Sequence, residues 1–128
     1  FVDFVPKIEI PAYFAACDAG LSLFSDIKEM EKNSAGKFFD TIAAGKPILI
    51  NYDGWQADFI REKGAGLVLS RDLSLAAVSV KNFIDADSGV DYQNILDAAG
   101  RFSPENIYSQ VSSAINAASD IRKGVVLK

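Results

Sequence analysis

The chain has 128 residues, 49% of them hydrophobic and 23% charged, with a net charge of −4, one cysteine and no histidine. Such a chain can bury a core of its own, so it reads as one domain, and disordered, collagen-like and disulfide-rich classes are excluded. Its acidity disfavours nucleic-acid phosphates and anionic membranes, and the missing histidines remove His-dependent triads and the usual zinc sites.

Cys17 has no partner for an internal disulfide, which suits a reducing, cytoplasmic compartment. Its neighbours Ala15, Ala16 and Ala19 suggest a small buried hydrophobe. No apolar run approaches the roughly 20 residues that span a bilayer. The first ten residues contain Asp3, Pro6, Lys7 and Glu9, which is no signal peptide. The chain opens on Phe1 rather than Met, directly on a strand-like run, and is expected to be a piece of a longer polypeptide.

In chain order, Phe1 to Val5 is β-rich and stops at Pro6, so a first strand is expected there. Ile10 to Cys17 reads as a helix with Pro11 tolerated in its first turn. Ala19 to Phe24 reads as a second strand, and the charge-dense Ser25 to Asn33 as a loop. From Ser34 the spacing of Phe38, Phe39, Ile42 and Ala43 predicts a helix that Gly45 stops. Pro47-Ile48-Leu49-Ile50 has the continuous apolar character of a strand buried on both faces, and Asn51-Tyr52-Asp53-Gly54 that of a turn. Trp55 to Lys63 is a further helix, broken by Gly64-Ala65-Gly66, and Leu67 to Leu69 a fourth strand. Helices follow from about Leu75 to Ala86, capped by Asp72 or Ser74, and from Asp91 to Phe102. Ser103-Pro104 starts a last one, running to about Lys123.

Alternating strands and helices imply right-handed crossovers. The expected fold is α/β: a Rossmann-like open parallel sheet of about four strands, helices on both faces, and a helical C-terminal tail. In such sheets ligands sit beyond the carboxyl ends of the strands, where loops meet helix N-termini. The loops at Pro6 to Glu9, Ser25 to Lys37 and Tyr52 to Gln56 qualify. Asn33-Ser34-Ala35-Gly36-Lys37 combines small residues with a cation at a helix start, as a phosphate site requires. Ser34 equally serves as a plain cap. Asp40, one turn further on, either accepts two ribose hydroxyls or pairs with Lys37 on the surface. Glu29 and Glu31 sit in an alternating charge cluster with Lys28 and Lys32, which also reads as solvated loop charge. Gly36-Lys37 lacks the other residues of a P-loop, and Gly64-Ala65-Gly66 lacks the dinucleotide spacing.

The run Ser34-Ala35-Gly36-Lys37-Phe38-Phe39-Asp40-Thr41-Ile42-Ala43-Ala44-Gly45-Lys46-Pro47-Ile48-Leu49-Ile50 resembles the donor-site helix and following strand of family 4 glycosyltransferases, which have the two-domain GT-B architecture. Ile10 to Ala19 and Asn51 to Gly66 resemble the flanking passages, so the likeness covers roughly residues 4 to 70. It implies that residues 1–128 are a single C-terminal, nucleotide-sugar-binding domain, with the acceptor domain outside this chain. The implied reaction is retaining transfer from an NDP-sugar, UDP- or GDP-linked, to a glycan or lipid-linked acceptor in bacterial surface-polysaccharide assembly. It needs neither a cofactor nor an obligatory metal. Any membrane association would reside in the missing part, and these 128 residues alone are expected to transfer nothing.

Residue by residue, the resemblance gives Asp40 the ribose, in place of the family's usual Glu. Ser34, Gly36 and Lys37 take the diphosphate and sugar. Asn33, Gly54 and Trp55 fall to the sugar pocket, and Val5, Lys7 and Ile8 to the base. The family's first acid falls on Lys32, which breaks the pattern and leaves Glu29 or Glu31 as substitutes. A non-catalytic α/β interaction domain is the alternative reading.

Overall fold

A computed structural model of the chain describes residues 2–86 and 90–122, and the side chain of Glu31 is not among what it describes. Among the described residues three helix–strand pairs are followed by three further helices: α1 (Ile10–Ala16), β1 (Gly20–Ser22), α2 (Gly36–Ala43), β2 (Ile48–Ile50), α3 (Trp55–Lys63), β3 (Gly66–Val68), α4 (Leu73–Asp85), α5 (Tyr92–Ala99) and α6 (Pro104–Arg122). Short 3-10 turns occupy Lys7–Glu9, Lys28–Lys32 and Gly100–Phe102. The strands form one parallel sheet in the order β1-β2-β3, with Gly20 beside Ile48 and Ile48 beside Gly66. The architecture is thus α/β with a small open parallel sheet, compatible with a Rossmann-like fold without being specific to it.

Side chains alternate across the sheet. Gly20, Ser22, Ile48, Ile50, Gly66 and Val68 share one face, and Leu21, Leu49 and Leu67 the other. The first face carries the core. Ile48 and Ile50 meet Phe38 and Ile42 of α2, Ala57, Phe59 and Ile60 of α3, and Ile95 of α5. Thr41 of α2 sits so tightly over Gly20 that a Cβ there would fall 2.3 Å from its hydroxyl. The stripe that α2 buries is therefore Phe38, Thr41 and Ile42, while Phe39 is half-buried and Ala43 exposed. Gly66 brings β3 against β2, at φ +144°, with Ile48 O only 2.0 Å from where a Cβ would stand.

Several expectations are corrected. The sheet has three strands among the described residues, not about four, because Val2 to Val5 pairs with nothing and Phe4 is 98% exposed; Phe1 lies outside the described residues. β-propensity reports how well a residue fits a half-buried pleated surface. Val2 and Phe4, 66% and 98% exposed, rest on no such surface. Helices do not cover both faces equally. Val80, Phe83 and Ile84 of α4 face Leu21 and Leu49 across a cleft of about 480 Å³, and α4 buries no residue. Cys17 is exposed, because α1 has no buried side. The expected loop before α2 contains the 3-10 turn Lys28–Lys32, and the expected helix at residues 91–102 is α5 followed by another such turn. Lys123, the expected end of the last helix, lies outside the described residues; Asp72 caps α4 and Ser103 caps α6 as the sequence implied.

Candidate functional site

The carboxyl ends of β1 and β2 lead to the N-termini of α2 and α3, and both helices begin without a side-chain cap. Ala35 is the N-cap of α2, and its methyl group can accept nothing. Ser34 does not cap the helix; its N–H donates to Asn33 Oδ1 at 2.8 Å. The first N–H groups of α2 therefore have no side-chain acceptor, and they sit at the positive end of the helix dipole. Open space lies over Gly36, where an added Cβ would meet nothing within 4 Å. Lys37 is exposed and stands in the same turn. Among the described residues no ion pair joins Lys37 to Asp40, so the surface pair is not formed.

Asp40 is half-buried and lines a cleft of about 160 Å³ with Lys7, Ile10, Pro11 and Phe14. Here α1 rests on α2 and brings together the residues expected to hold ribose and base, Asp40 and Lys7. Val5 and Ile8 do not line this cleft, and Ile8 is 88% exposed. Trp55 stands elsewhere. Its ring lies against Phe38, Phe39 and Phe102, with centroids 5.6, 5.9 and 5.8 Å away, and walls an apolar groove instead of Asp40's cleft. Gly54 is the α3 N-cap at φ 109°, a conformation that disfavours any side chain. Glu29 and Lys32 are exposed on the 3-10 turn ahead of α2, and Glu31, on the same turn, has a side chain outside those described.

The loops around these helix starts are tied by contacts that sequence reasoning missed. Asn51 closes a two-way clamp on Phe24: the Phe24 N–H donates to Oδ1 at 2.8 Å, and Nδ2 donates to the Phe24 carbonyl at 3.0 Å. The clamp continues the β1–β2 pairing past the strand ends. Arg61 donates to Asp53 at 2.7 Å, which raises its guanidinium pKa, and Arg71 pairs with Asp26 at 3.0 Å. Beneath the loops, the Tyr52 hydroxyl donates to Gln56 Oε1 at 2.8 Å and lies 3.4 Å from Ser22 Oγ. Burial pushes the Tyr52 phenol up, against a smaller opposite pull from Ser22. An aromatic residue two positions after an all-apolar strand was the available signal; it passed as part of a turn.

What the arrangement offers is electrostatic: a helix start, a cation in its first turn, and a carboxylate one turn on above a cleft. Among the described residues no group of three His, Cys, Asp or Glu side chains could hold a metal ion, and no helix is long and apolar enough to cross a membrane. No protein-family model, curated protein or solved structure matches this chain.

Proposed function

We propose that this domain binds the nucleoside diphosphate part of a nucleotide sugar, as the donor half of a glycosyltransferase of the GT-B type. The carrying observation is the start of α2, which has no side-chain cap and has Lys37 in its first turn, with Asp40 one turn on. A diphosphate at that start meets N–H donors, the helix dipole and an ammonium group. Asp40, within reach of a ribose bound alongside, accepts from its hydroxyls, and the base extends toward Lys7 and Phe14. The resemblance of residues 34–50 to family 4 enzymes supports the same reading, with UDP- or GDP-sugars as donors. Transfer itself belongs to a longer protein that supplies the acceptor domain, and an acceptor, glycan or lipid-linked, would meet the donor there.

The test is a thermal-shift panel of UDP, GDP, CMP and their sugar conjugates on the wild-type chain and on Asp40→Ala. At a ligand concentration about ten times Kd, linkage contributes roughly 1.4 kcal/mol, or about 3–6 °C for a domain of this size. A shift with one nucleotide that disappears in Asp40→Ala is the expected result. Equal shifts in both proteins would remove Asp40 from the ribose, and no shift with any nucleotide would count against a donor site in this chain. Gly36→Ala separates folding from binding. Open space receives its methyl, and alanine is the better helix former. Stability should hold or rise by up to about 1 kcal/mol, while the nucleotide-induced shift falls.

A further inference from the structure

α6, with 19 residues the longest helix, buries none of them and meets the body chiefly through the turn Gly100–Phe102. Asn106, Ser109, Ser112, Ser113, Asn116 and Ser119 are all weak helix formers, so little of its helicity comes from propensity. Such a helix depends on packing an apolar face. That face exists: Ile107, Val111, Ala114, Ala118 and Ile121 recur at alternating steps of four and three, the spacing of a coiled-coil seam. Ile107, Val111 and Ile121 are 40%, 51% and 68% exposed. At the foot of the helix the seam runs into an apolar groove of about 720 Å³ walled by Phe39, Trp55, Leu96, Phe102, Pro104 and Ile107.

We infer that α6 pairs antiparallel with α6 of a second copy of this chain, and that the partner's Ile121 enters the groove at Pro104. The sequence of the seam selects this occupant. Setting Ile107 against the partner's Ala118 sets Val111 against the partner's Ala114, and the two-fold axis repeats both pairs. Every one of these layers then joins a large side chain to a small one, as close packing requires. The same register places Ile121 opposite Pro104, a wall of the groove. A parallel pair would stack alanine on alanine and leave voids. The helix is about 28 Å long, and one such seam is small beside the roughly 800 Å² per partner of a stable interface. Symmetry adds a filled groove at each end, which brings the contact toward that size.

Sedimentation equilibrium of the 128-residue chain tests this. The expected mass is twice 13.8 kDa at high concentration. Ile121→Asp, remote from the core, should raise the dimer dissociation constant at least about 30-fold if Ile121 is an anchor. Ser109→Glu, on the opposite side of the helix, should leave it unchanged. Register is read by a short bifunctional maleimide in a Cys17→Ala background: Ile107→Cys with Ala118→Cys should link two chains, and Ile107→Cys alone, whose two copies lie about 16 Å apart along the antiparallel pair, should not. A monomer at millimolar concentration, a dimer indifferent to Ile121→Asp, or linkage through Ile107→Cys alone would each overturn the proposal. The last would mark a parallel pair; the second, association through another surface.

Discussion

Tyr52 is only 3% exposed, yet it carries a hydroxyl, and the fold accommodates that group with one good bond, to Gln56 Oε1 at 2.8 Å. The other end of the same amide, Gln56 Nε2, is buried with no partner among the described residues. Tyr52→Phe would strip the remaining bond and leave the whole amide unsatisfied. Its cost should be about 1–3 kcal/mol, read as a lower urea midpoint with an unchanged slope. A loss below a few tenths would mean that the hydroxyl carries no such weight. The phenol also sets a pH response. Burial raises its pKa in the folded protein, so the folded state holds the proton longer than the unfolded chain does. The stabilising contribution is complete below the unfolded value of about 10 and is lost as pH rises through the folded one. Denaturation midpoints should therefore fall as pH rises above about 10 in the wild type, and Tyr52→Phe should lack that part of the slope. At this scale the sequence was least informative. Tyr52 and Asn51 look like turn residues by composition, and only the strand ends, brought together in space, show that one is core and the other a clamp on Phe24.

Elements were read best where sequence-local physics decides them. α3 runs from Trp55 to Lys63 as expected because glycines bracket it, Gly54 at φ 109° as N-cap and Gly64 at φ 61° as C-cap. β2 is buried throughout, as its unbroken apolar run implied. The first strand failed because strand formation at Val2 to Val5 depends on what lies beside β1, and nothing in the segment's own residues specifies that. The start of α2 was legible as a candidate site, but whether Ser34 caps the helix was not. That depends on where the chain turns, and Ala35, not Ser34, takes the cap position. Gly66 gives the sharpest test of sheet geometry. Alanine there would place its methyl 2.0 Å from Ile48 O at φ +144°, a collision with backbone that no rotamer relieves. Gly66→Ala should cost about 3 kcal/mol or more. Hydrogen exchange should show the loss first at the Ile48 N–H, which donates to Ala65 O across the β2–β3 edge. Unchanged protection at Ile48 would mean that β3 can shift without breaking the pair.

For the whole molecule, burial is divided unequally. The core lies between one sheet face and the helices α2, α3 and α5, while α1, α4 and α6 bury no residue. A chain ended at Ser103 should therefore keep its cooperative unfolding. Phe102, packed against Phe38, Phe39 and Phe59, is retained in it. In dilute solution its melting temperature should lie within about 4 °C of the wild type, since no more than about 1 kcal/mol of buried contact is removed. Concentration then separates the two proteins. If α6 pairs two copies, association stabilises the folded state by mass action, and the wild-type melting temperature climbs as protein is added. The shortened chain has no seam and should melt at one temperature throughout. Should truncation abolish the cooperative transition, α6 would belong to the core's stability after all. Its length and its Ile-Val-Ala stripe would then serve folding, with pairing secondary.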